Sequence, residues 1–120
     1  MKKTLLCATL LLGFLGIAVA DEFPDGVTAP NAKELDALLS GKAFTSKQAD
    51  GSVWRLTYRS TGYFFFNVGS ASGSGKWKAE DGRLCANIGT NPTGCNDMRL
   101  LGDKILLKRD NGSIIEFVPS

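Results

Sequence analysis

The chain is 120 residues long, with no histidine, three cysteines, 43% apolar residues and a formal net charge of +2. One domain accounts for that length, and the apolar content excludes wholesale disorder. The missing imidazole excludes the Ser-His and Cys-His arrangements of nucleophilic catalysis and removes the commonest general base.

Lys2-Lys3 precede a charge-free run from Leu5 to Val19, which closes as Ala18-Val19-Ala20. A basic start, an apolar stretch and a small-x-small end make a cleavable secretory signal peptide over residues 1–20. The run is shorter than the roughly 20 apolar residues of a membrane span. Cys7 stands before most of the run, the wrong side for a lipid-modified cysteine. The expected mature chain starts at Asp21 and works outside the cytoplasm. Its twelve basic and twelve acidic side chains cancel, so no footprint for nucleic acid or anionic membrane is expected. Cys85 and Cys95 are the cysteines left, and in an exported chain of this size they read as a disulfide. A zinc site would need carboxylates to complete it, so no metal or cofactor is expected.

Residues 21–30, with two prolines and a glycine, read as a flexible lead-in, and residues 31–120 as the domain. Asn31 and Glu34 form a capping-box pattern, Leu35, Leu38 and Leu39 make one apolar stripe, and Gly41 supplies the stop. A short helix is predicted there. From Lys42 onward the pattern is short apolar runs between turn signals: residues 43–45, 53–59, 63–68, 76–78, 84–88, 98–101, 105–107 and 114–118. About eight strands with hairpin-length connections predict an all-β domain, a meander closing into a small barrel or a sandwich. Gly69 to Gly75 reads as a flexible Gly/Ser loop, Glu80-Asp81 as a solvated turn, and Asn111-Gly112 as a type I′ turn. Proline at position 92 rules out glycosylation of Asn91, and Asn111-Gly112-Ser113 fits that motif only formally.

The aromatic group is the strongest functional lead. Trp54, Tyr58, Tyr63, Phe64, Phe65, Phe66 and Trp77 crowd into 24 residues. On a strand, Tyr63 and Phe65 share one face and Phe64 and Phe66 the other. One set would be core. The other would lie under the leucine-striped helix, the reading preferred, or form an exposed binding patch. Trp77 is assigned to the core. The candidate contact residues are Trp54, Tyr58, Tyr63, Phe65, Ser70, Ser72 and Lys76.

The order of features from Glu34 resembles a family of small, largely uncharacterised secreted proteins of Gram-negative bacteria. The shared pattern is Leu38-Leu39-Ser40-Gly41-Lys42, Asp50-Gly51, Trp54, Gly75-Lys76-Trp77, and Gly82-Arg83-Leu84-Cys85 followed by Cys95. The resemblance implies a lipocalin-like β-barrel in the periplasm or medium, with no agreed activity. Ser70-Ala71-Ser72-Gly73 is also similar to the Ser-Gly loop of periplasmic inhibitors of C-type lysozyme, with Lys76 where those have a tyrosine. The expected function is a non-enzymatic binding or interaction module for a small apolar ligand or a protein partner. Contact would be made in the barrel mouth or on the aromatic strand. The alternative is an inhibitor of a cell-wall-lytic enzyme acting through residues 69–76, and an enzyme is the third reading.

Overall fold

The computed structural model describes residues 21–120, so the predicted signal peptide and Cys7 lie outside the described residues. Helix α1 (Ala32–Leu39) is followed by eight strands: β1 (Lys42–Lys47), β2 (Val53–Tyr58), β3 (Tyr63–Val68), β4 (Ala71–Glu80), β5 (Arg83–Ile88), β6 (Gly94–Leu101), β7 (Lys104–Lys108) and β8 (Ile114–Pro119). Each strand pairs antiparallel with the next, and β8 returns to β1, closing an all-β barrel. The closing seam is short, Phe44 opposite Pro119 and Thr45 opposite Val118. It is extended by the Ser120 N–H donating to the Ala43 carbonyl at 3.0 Å.

Three hairpins share one turn, and it is not type I′. At Gln48, Arg59 and Arg109 the carbonyl accepts from a glycine three residues on (Gly51, Gly62 and Gly112). Only that glycine has positive φ, between 89° and 94°. A type I′ turn needs positive φ at both central residues, so Asn111 does not take the conformation expected of it. Its carboxamide oxygen instead accepts from the Ser113 N–H and hydroxyl.

Alternate residues of each strand point inward. Phe44, Leu56, Tyr58, Phe64, Trp77, Leu84, Met98, Ile105, Leu107, Ile115 and Phe117 form one buried cluster. Eight strands leave an interior just wide enough for side chains, and here five rings occupy it. Tyr58 lies 5.4 to 6.2 Å from the ring centroids of Phe44, Phe64, Trp77 and Phe117. The Trp77 indole N–H donates to the Arg59 carbonyl at 2.8 Å.

Helix α1 does not cover the outer aromatic face, as the sequence reading preferred. Leu35 and Leu39 are fully buried within the interior cluster. The helix is therefore a plug for the core. An apolar stripe on eight residues buries most area where the strands leave the cluster uncovered. Its start is fixed twice. Asn31 and Glu34 complete the capping box, and the Ala32 N–H donates to the Asp81 carboxylate in the β4–β5 turn at 2.8 Å. Asp81 therefore ties the helix to the barrel, and its neighbour Glu80 pairs with Arg83 at 3.0 Å. The lead-in is anchored too. Thr28 and Leu100 exchange both backbone hydrogen bonds at 2.8 Å, and the Gly82 N–H donates to the Pro30 carbonyl.

Candidate functional site

The Gly/Ser segment is not a loop. A two-residue turn, Gly69-Ser70, leads straight into β4, and Ala71 to Lys76 pair with Val68 to Tyr63. The glycines serve close approach instead of freedom. A Cβ on Gly73 would stand 2.5 Å from the Phe66 ring, and one on Gly75 would stand 1.6 Å from the Asn87 carbonyl oxygen. Strand glycine beneath a cross-strand ring is a tertiary device.

Straightening this segment makes a continuous outer wall. Tyr63 and Phe65, 48% and 42% exposed, stand on it with neither ring covered by the helix. The register sets Tyr63 beside Lys76 and Phe65 beside Ser74. The Arg59 guanidinium lies 5.4 Å over Phe65, and the Lys76 ammonium 5.8 Å over Tyr63. Both contacts hold a cation extended against a ring, in the geometry of cation–π attraction. A groove of about 700 Å³ continues this wall across β4 to β6, lined by Thr61, Tyr63, Lys76, Lys78, Thr93 and the cystine among others.

Cys85 and Cys95 are direct cross-strand partners and are disulfide-bonded. Both cysteines line the groove. The Glu80 carboxylate and the two sulfurs lie within 4.8 Å of one another. Cystine sulfur carries no thiolate charge, so this trio lacks the ligand chemistry of a metal site.

The other candidates scatter. Tyr58 is 3% exposed and belongs to the core. Burial pushes its phenol far above the ordinary range, so it stays neutral. Trp54 is half-buried at the opposite end of the barrel from α1, stacked on Phe66 at 5.2 Å. There it borders a depression of about 270 Å³ with Gln48, Asp50 and Arg109, and Arg109 donates to Gln48 across the mouth. The Asp50 carboxyl is held below its usual value by hydrogen bonds from the Ser52 hydroxyl and N–H. Ser70 and Ser72 are exposed at and just after the β3–β4 turn. The structure therefore brings Tyr63, Phe65, Ser72 and Lys76 onto one wall and leaves Trp54 and Tyr58 off it.

No family model matches the chain, and no curated protein or solved structure shows significant similarity to it.

Sequence reasoning sets Arg55 and Arg59 on the face opposite Trp54 and puts Lys76 and Lys78 on one face beside Trp77, but leaves Arg55, Arg59 and Lys78 out of the contact residues. Their signal was the strand parity already used for Tyr63 and Phe65. Arg55 alternates with Trp54 and Leu56, and Lys78 falls two residues after Lys76.

Proposed function

We propose that this chain is a non-enzymatic binding module of an exported compartment, and that it binds on the outside of its barrel. The observation that carries this reading is the contrast between the two faces of β3. Phe64 and Phe66 pack inward on the core, whereas Tyr63 and Phe65 remain exposed beside the groove. Exposed rings rimmed by polar groups mark interaction surfaces. The interior offers less, because rings fill it and the helix plugs one end.

Capture of partners from periplasm and medium by residues 21–120 tests the reading, with Tyr63→Ala/Phe65→Ala beside the unmutated chain. The double variant should lose the captured partner and keep its melting temperature within a few degrees. Equal capture by both forms rejects this wall as the contact surface.

A further inference from the structure

The zero net charge of residues 21–120 hides a strong asymmetry. Residues 21–41 hold five acids and one base, whereas residues 42–79 hold six bases and one acid. The fold turns that sequence bias into a surface. Lys47, Arg55, Arg59, Lys76 and Lys78 are exposed on β1 to β4 and the β2–β3 turn. The single acid of this stretch, Asp50, is in the β1–β2 turn, bonded to Ser52. Glu80, at the far corner of the groove, is paired with Arg83.

These five cations have no carboxylate partner, since the Arg83–Glu80 pair is the one salt bridge among the described residues. Two of them rest on rings instead. A guanidinium held on a ring keeps its N–H edges free for carboxylate or sulfate, with part of its ordering cost already met. Clustered unpaired cations raise a local potential that favours anions even on a neutral protein.

Between the cations the wall carries hydroxyls. Ser72 and Ser74 are exposed on β4, and Thr61 and Thr93 line the groove. Four strands about 4.8 Å apart, with about 3.3 Å per residue along each, span roughly 20 Å by 20 Å. That is about half of the ~800 Å² each partner contributes to a stable protein interface. A linear polymer crossing the wall suits that size better than a globular partner. Single-stranded nucleic acid needs open ring faces for base stacking, and Arg59 and Lys76 already occupy these. Sugar hydroxyls and acidic groups match the hydroxyls and cations present.

Building on the outer-wall reading above, we infer that the wall formed by Arg55, Arg59, Lys76, Lys78 and the serines of β4 binds an acidic polysaccharide. Binding of residues 21–120 to heparin and polygalacturonate at about 50 mM salt tests this, with neutral dextran and a single-stranded oligothymidylate alongside. At least one acidic polysaccharide should bind, weaken about tenfold or more on raising salt to about 200 mM, and outcompete the oligonucleotide. Arg55→Gln/Lys76→Gln/Lys78→Gln should weaken binding about tenfold at unchanged melting temperature, whereas Lys33→Gln/Lys104→Gln, away from the wall, should not. Absence of binding to both acidic polymers, equal binding by the triple variant, or tighter binding of the oligonucleotide overturns the inference. Loss of a captured partner in Tyr63→Ala/Phe65→Ala would still support the outer wall as a contact surface of other chemistry.

Discussion

At Gly75 the atom nearest a would-be Cβ is a backbone carbonyl oxygen, 1.6 Å away, which cannot swing aside. At Gly73 the nearest atoms belong to the Phe66 ring, which can turn at the expense of its stack on Trp54. Gly75→Ala should therefore cost about 3 kcal/mol or more, and Gly73→Ala about 1–2 kcal/mol. Thermal melts separate them, because 1 kcal/mol moves the midpoint of a domain this size by roughly 4–8 °C. Similar small shifts for both would show that β4 relaxes freely. Ser46 makes the opposite case. It is fully buried and its hydroxyl has no hydrogen-bond partner. An unpaired buried hydroxyl carries a desolvation cost of about 1–3 kcal/mol, so Ser46→Ala should raise the melting temperature. A fall would mean that the hydroxyl has a partner. Tyr58 adds a pH dependence. Its folded pKa is raised by burial while the unfolded chain ionises near 10.0. Below that value the phenol is protonated in both states and contributes nothing to the pH slope. Above it the unfolded state releases a proton that the folded state retains, so stability falls as pH rises. Denaturant titrations between about pH 9 and pH 11 should show that fall, and Tyr58→Phe should make it shallower.

Elements whose signals are local were legible in the sequence. The capping box, the Gly41 stop at φ +77° and the order of the eight strands follow short-range patterns, although β4 begins at Ala71 and β6 at Gly94, earlier than the expected starts at Lys76 and Met98. What the chain does with an element over distance was not legible. Gly69 to Gly75 reads as flexible because glycine is permissive, and only the Phe66 ring and Asn87 carbonyl show why a strand needs it there. The leucine stripe predicts that α1 buries a face, but not whether it packs inside or outside the barrel. The wall was half-legible, since strand parity selects Tyr63 and Phe65 but a zero charge sum conceals the cations beside them. The β5–β6 hairpin combines both kinds of signal. Its ladder has only four residue pairs, Arg83–Asp97 through Ala86–Gly94, and the disulfide joins the third. Closing a ten-residue separation removes unfolded-state entropy worth about 2.7 kcal/mol in the chain-entropy model. Cys85→Ser/Cys95→Ser should thus fold yet melt roughly 10–20 °C lower, with residues 89–94 exchanging amide hydrogens first. Two free thiols in denatured, unreduced residues 21–120 would remove the basis of this expectation.

For the whole molecule, the decisive property is where its aromatic mass lies. Small barrels of eight strands either fill their interior with side chains or hold one small ligand there. In this chain Phe44, Tyr58, Phe64, Trp77 and Phe117 are all at most 7% exposed, and Tyr58 lies beside each of the other four rings. Leu35 and Leu39 seal one end. Trp54 on Phe66, with Arg109 reaching Gln48, narrows the other. Admitting an acyl chain would require several of these rings to leave their packing, each at a cost comparable to the few kcal/mol of truncating a buried aromatic. Together with the cost of immobilising the ligand, that offsets what an acyl chain recovers from burial at about 0.8 kcal/mol per CH₂. Residues 21–120 should therefore not bind a fluorescent long-chain fatty acid at micromolar concentration. Native mass spectra should show the bare polypeptide mass. Saturable fatty-acid binding competed by unlabelled acid would show that the core opens, and would move the binding site from the wall to the interior. Phe44→Ala/Phe117→Ala provides the positive control. It removes two adjacent rings whose centroids lie 5.6 Å apart, and the apolar cavity left behind should admit small aromatic molecules that the unmutated chain excludes.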